Sequence, residues 1–272
     1  MKNIRLFWWN ETIIMNKPKE NYGDLLGKYL VEKISGKKVV FAWPKKFSIY
    51  DWFSPIYVTI GSILANVNHK CIVWGSGIID RKISIKNATF LAVRGPQTRQ
   101  FLLQLGYQVP EVYGDPALLL PNYYHPKIEK QYEIGIIPHV NDYQEIYQKW
   151  NHLPQVKVIH LMTNDIEATT NEILACKRTI SSSLHGIIVS HAYQIPSVWV
   201  EFSDKLFGDG VKFQDYFESV DLPNYQPVTT VDIAANEAVE ALFQKYPNGP
   251  QPEKLEQIKK QLLAVCPFVS TS

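Results

Sequence analysis

The chain alternates short apolar runs with stretches patterned for helix. Residues 3–9 (NIRLFWW), 56–60 (IYVTI), 71–74 (CIVW) and 88–93 (ATFLAV) are too short for buried helices and are bounded by glycine or polar residues, so they predict buried strands. After the first, a polar loop with Pro18 and Gly23 leads to Leu25, Leu26, Tyr29, Leu30 and Ile34. These lie on one helical face that ends near Gly36. The later runs open into GSIL at 61–64, GSG at 75–77 and RGPQT at 94–98. There Pro96 suits the first turn of a helix carrying Phe101, Leu102 and Leu105. Strand, turn and helix recur as a unit, which predicts a parallel sheet with helices on its faces and ligands at the carboxyl ends of its strands.

The polar, proline-containing stretch NYYHPKIEKQY then interrupts the pattern, and a domain boundary is expected near residue 128, giving domains 1–128 and 129–272. A second series predicts strands at 133–137, 156–161, 178–181 and 197–202, separated by helices at 142–150, 165–176 and 184–193. Helical patterns at 231–245 and 253–264 are parted by YPNGPQP, and one of these helices has the freedom to pack back on the first domain. The last residues, CPFVSTS, are expected to be loosely held.

A length of 272 residues favours two modest α/β domains, and 46% hydrophobic with 20% charged residues excludes disorder as the dominant state. The net charge of +2 is too small for a nucleic-acid-binding field, so an anionic partner must be held by a few placed residues. Cys71, Cys176 and Cys266 form no CxxC pair, which suits a reducing compartment and neither a disulfide framework nor zinc. The apolar N-terminal run is interrupted by Glu11 and Lys17, so neither signal peptide nor anchor is expected. Walker, HExxH and clustered acidic patterns are missing, and no metal or cofactor is expected.

Candidate chemistry concentrates in SSSLHG at 181–186, where a strand ends in serines and a helix begins. Helix N–H groups and the hydroxyls of Ser181, Ser182 and Ser183 form an anion cradle if they do not merely cap the helix, and Gly186 permits close approach. His185 is a candidate acid, base or carboxylate contact, whereas His191 reads as structural. His139, at a strand end, is a second candidate acid or base. Asp115, before Pro116, is either a base or a turn former. Asn21 and Asp24 in NYGD are placed to reach substrate, with helix capping as the alternative for Asp24. Lys212, after a glycine-rich turn, reads equally as an anion contact or a solvated loop lysine. Trp8, Trp9, Trp43 and Trp52 are candidate sugar-stacking faces.

NYGD at 21–24, WGSG at 74–77, AVRGPQT at 92–98, GDPALLLP at 114–121, IPH at 137–139 and SSSLHG at 181–186, in that order, resemble the polysaccharide pyruvyl transferase family, over roughly residues 20–220. The resemblance implies two Rossmann-like α/β domains facing a cleft, similar to the GT-B glycosyltransferase architecture, with an acceptor side and a donor side. It implies transfer of pyruvate from phosphoenolpyruvate, as donor substrate, to a saccharide acceptor that is a polysaccharide or its lipid-linked precursor. By this likeness His185 is catalytic, and Arg94 contacts the donor's anionic groups, with Gly75 and Ser76 of WGSG alongside. An arginine found two residues before the histidine in family members is Ser183 here. The expected setting is the cytoplasm, including a peripheral position at the inner membrane face. The competing readings are a nucleotide-sugar glycosyltransferase and a non-catalytic saccharide-binding relative.

Overall fold

Each predicted apolar run becomes a short buried strand, and the strands sort into two parallel sheets. The computed structural model describes residues 3–46, 48–205, 208–229 and 236–269. The first lobe holds β1 (Ile4–Phe7), α1 (Glu11–Ile14), β2 (Glu20–Asn21), α2 (Tyr22–Ser35), β3 (Val39–Phe41), β4 (Ile56–Val58), β5 (Cys71–Trp74), β6 (Thr89–Ala92), α3 (Pro96–Gln104) and α4 (Leu120–Tyr123). The second begins with β7 (Tyr132–Ile137), α5 (Tyr143–Trp150), β8 (Val156–Val158), β9 (Met162–Thr163) and α6 (Ile166–Leu174). It continues with β10 (Cys176–Ser181), α7 (Leu184–Ala192), β11 (Ser197–Trp199), α8 (Val211–Ser219), α9 (Asn236–Lys245) and α10 (Pro252–Ala264). The sheet orders are β3-β1-β4-β5-β6 and β11-β10-β7-β8, and every pairing within them is parallel.

Helix ends follow local chemistry. Asn21 caps α2 by accepting from the Gly23 N–H at 3.0 Å, and Gly36 ends it in the left-handed region at φ 63°. Pro96 stands in the first turn of α3. The edge strand β3 and the two-residue strands β2 and β9 are too short to leave a period in the sequence. Of the 231–245 pattern, residues 231–235 lie outside the described residues and the remainder forms α9.

One apolar core spans both lobes. Residues 117–120, at 0% exposure, form a short helical turn leading into α4, wedged against α2, α7 and α10. Burying each of these leucines contributes roughly 1.5–3 kcal/mol. Although α10 follows the second sheet in sequence, it docks on the first lobe. The Trp74 indole donates to the Leu262 carbonyl at 3.0 Å, and the Phe268 ring packs edge-on against Trp74 and Tyr57. The expected loose terminus is therefore pinned at Phe268, while residues 270–272 lie outside the described residues. Antiparallel pairing of β2 with β9 straps the lobes together, reinforced by Tyr22 N–H to the Leu161 carbonyl at 2.7 Å.

Candidate functional site

In each sheet the winding reverses beside its first strand: between β1 and β4 in one, between β7 and β10 in the other. Crevices open at the carboxyl ends of strands at such points. Here the two crevices face each other and merge into one cavity of about 540 Å³. Its wall takes Trp9 and Glu11 from beyond β1, residues 61–63 from beyond β4, 139–141 from beyond β7 and 183–185 from beyond β10. Asn21, Asp24, Lys17 and Lys212 add to the polar lining.

The interlobe strap delivers Asn21 and Asp24 into this cavity. Asn21 is spent on its cap, but Asp24, in the first turn of α2, has no hydrogen-bond partner among the described residues. Burial raises its carboxyl pKa from 3.8 to about 7, with Glu11 and Glu20 adding to the rise and His185 and Lys212 opposing it. A carboxyl so tuned exchanges a proton near neutrality, which capping alone would not require.

His185 lies in the first turn of α7, with its ring between the lobes. Its Nε2 faces Asp115 Oδ2 at 3.5 Å, and neither atom has a hydrogen-bond partner among the described residues. Asp115 is fixed by its other oxygen, which accepts the Ala117 N–H at 2.9 Å and caps the interlobe turn. The carboxylate thus orients the imidazole through Nε2, leaving Nδ1 against Gly23 of α2, where a Cβ would fall 2.1 Å from it. Glycine at 23 is what lets ring and helix share this space.

Cationic character comes from Lys212 and Lys17. The sequence suggested a loop for Lys212; it stands in the first turn of α8 after Gly210, whose φ of 80° makes the sharp entry to the helix. Burial, aided by the nearby Arg94 charge and opposed by Asp24 and Glu201, lowers its pKa from 10.5 to about 8. Such an ammonium gains most from an incoming anion. Lys17 pairs with Glu11 at 2.8 Å. Ser183 occupies the N-cap of α7 without a side-chain cap hydrogen bond, so its hydroxyl leaves the first-turn N–H groups to a ligand. His139 lines the same cavity, and burial, with the Lys212 charge, lowers its pKa.

Arg94 requires correction as a direct donor contact. It is fully buried, with Nε donating to Asp215 at 3.0 Å, Nη1 to Ser62 at 2.6 Å and Nη2 to the Ile78 carbonyl at 2.7 Å. Its fork is consumed by Asp215 of α8 and by Ser62 and Ile78 of the first lobe, and among the described residues Ser62 is the one of these partners that lines the cavity. The cradle likewise narrows. Ser181 donates to the Ile137 and Ser183 carbonyls, Ser182 accepts the His139 N–H at 2.8 Å, and both are buried. They tie the ends of β7 and β10 together, and Gly186 packs on Ser181 Oγ. Gly75, at φ 94°, makes room for Pro116, and Ser76 donates to the Gly61 carbonyl at 2.7 Å; neither lines the cavity.

Among the tryptophans Trp9 reaches the cleft, Trp8 is buried against Phe41, Trp43 lines a separate groove, and the Trp52 side chain lies outside the described residues. His191 is structural: its ring pairs with the Tyr216 hydroxyl at 3.0 Å, and burial lowers its pKa to about 4. The sequence reading missed Glu11, Lys17, Ser62 and Asn66 as cavity residues. Only the position of the 61–64 turn after a strand hinted at one of them, Ser62. Among the described residues no group of three His, Cys, Asp or Glu side chains is arranged to hold a metal ion, and no helix is long and apolar enough to cross a membrane.

A sequence model described as polysaccharide pyruvyl transferase matches residues 21–204. An uncharacterized protein of Acanthamoeba polyphaga mimivirus is 33% identical over 205 residues, covering 72% of this chain and 69% of its own length. The matched span contains α2, both winding reversals' later strands and every cavity residue from Asn21 to His185. This chain belongs to the polysaccharide pyruvyl transferase family.

Proposed function

We propose that the interlobe cleft transfers a pyruvyl group from phosphoenolpyruvate to two hydroxyls of a saccharide, free or lipid-linked, forming a cyclic ketal. The observation that carries this reading is the meeting of an orphaned, near-neutral carboxyl, a carboxylate-oriented imidazole and a lowered-pKa lysine in one cavity fed by both sheets.

The reaction divides among them. Asp24, protonated, delivers its proton to the methylene carbon of the enol, and positive charge develops at the carbon bearing the phosphate ester. A sugar hydroxyl attacks that carbon while the His185 imidazole takes its proton. The bond from carbon to the phosphate oxygen then breaks, the phosphate leaves with the proton held by His185, and the second hydroxyl closes the ketal, returning its proton to Asp24. Proton gains and losses balance, and no covalent enzyme intermediate is needed. Lys212 and the N–H groups opening α7 hold the donor's phosphate and carboxylate where charge shifts during the step.

The test is release of inorganic phosphate from phosphoenolpyruvate that depends on a saccharide acceptor, with the pyruvyl mass gain on the product. His185→Ala should lower kcat by about 100-fold or more. Lys212→Ala should instead raise KM for the donor, by about tenfold. Unchanged turnover in His185→Ala would remove the reading.

A further inference from the structure

A second cavity, of about 740 Å³, lies in the first lobe outside the cleft. It is lined by Phe41, Trp43, Tyr50 and Phe53, with Ile13 and Lys46 at its edges. Of the nine large apolar side chains exposed among the described residues, three line this groove, Ile13, Tyr50 and Phe53, the last at 77%, and two more, Met15 and Ile49, lie within two residues of these along the chain. A soluble surface scatters such residues singly; a cluster around a groove marks a contact surface.

Charge chooses the partner. Residues 1–60 carry ten basic and five acidic side chains, whereas the chain as a whole has 28 against 26. The excess gathers around the groove. Lys45 and Lys46 are exposed beside it, the Lys46 ammonium lies 5.0 Å from the centre of the Trp43 ring, and exposed Lys37 and Lys38 precede β3, whose Phe41 lines it. A second copy would bring like charges together. A saccharide site would not line its wall with Ile13, Phe41 and Phe53, which offer no side-chain hydrogen bonds. Aromatic and aliphatic side chains ringed by lysine match the boundary layer of an anionic bilayer, where rings sit among headgroups and ammonium groups meet lipid phosphates.

We propose that this face adsorbs the protein to anionic lipid membranes. The groove shares α1 with the cleft, since Glu11 lines the cleft and Ile13 the groove. Adsorption through this face therefore turns the α1 side of the cleft toward the lipid surface, where an acceptor carried on a lipid is presented. The inference concerns a surface apart from the reacting groups and stands or falls independently of the transfer reaction.

Flotation of the full chain with vesicles of phosphatidylcholine, with and without phosphatidylglycerol, tests it without any substrate. The expected result is binding to phosphatidylglycerol vesicles alone, weakening as salt is raised. Lys45→Glu/Lys46→Glu and Tyr50→Ser/Phe53→Ser should each reduce partitioning by at least about tenfold. Their thermal midpoints should stay at the parent value, because all four side chains are exposed. Absence of binding to anionic vesicles, or equal binding by the folded variants, overturns the proposal. So does loss in the Tyr50/Phe53 variant of binding to a soluble saccharide with vesicle binding retained, which would make the groove a sugar site.

Discussion

Replacing Gly23 by alanine isolates the position of the His185 ring from its chemistry. A Cβ at 23 would lie 2.1 Å from Nδ1, 2.6 Å from Cγ and 3.0 Å from Cβ of His185, while ordinary contact begins at 3.4 Å. The ring must retreat by about 1.3 Å, because α2 is strapped to the second lobe through β2 and cannot yield as easily. Displacement moves Nε2 relative to Asp115, already at 3.5 Å, and moves the imidazole from the reacting carbon. A shift of about 1 Å at a reacting group costs on the order of 100-fold in rate. Alanine is also the better helix former, by about 1 kcal/mol, so the fold has a compensating gain. The expected outcome in the acceptor-dependent phosphate-release assay is kcat lowered about 100-fold, with donor KM within a few-fold of the parent and the thermal midpoint little changed. Parental kcat in folded Gly23→Ala would refute the claim that His185 must occupy this position.

Asp115 acts through His185, so Asp115→Asn should lower kcat by about 100-fold while sparing donor KM. It should also shift the His185 Nε2–H resonance, and an unmoved resonance would reduce Asp115 to a turn former. Asp24→Asn should abolish the limb of the kcat profile near pH 7, and its persistence would assign that titration to another group. The same substitution has a stability signature. Asp24's folded pKa of about 7 exceeds its unfolded value, so the folded state holds the extra proton and wild-type stability declines as pH rises from about 4 to 7. Asp24→Asn removes that decline and should gain on the order of 4 kcal/mol relative to wild type at pH 8, with little difference at pH 4, measured by denaturant unfolding.

By itself the sequence determined the alternation of strand and helix, because short apolar runs rich in β-branched and aromatic residues and flanked by glycine or polar turns favour buried strands, whereas the run at 117–120, set between prolines, forms a helical turn. It also pointed to the loops at strand ends: NYGD, the 61–64 turn, His139 and SSSLHG all border the cavity, since a parallel sheet directs its carboxyl-end loops toward one crevice. What it left open was the direction and satisfaction of each side chain, which depend on contacts far apart in the chain. Arg94 carries the right chemistry for a donor clamp, yet Asp215, 121 residues away, claims its guanidinium. Asp115 gains meaning only from a histidine 70 positions later on the opposite lobe. Lys212 became a cavity residue because Gly210 turns the chain into α8 and aims that helix's first turn at the cleft. Local sequence fixes elements through backbone propensity and periodicity. The pairing of buried charges is settled by which lobes close over them, and only the tertiary structure decides that.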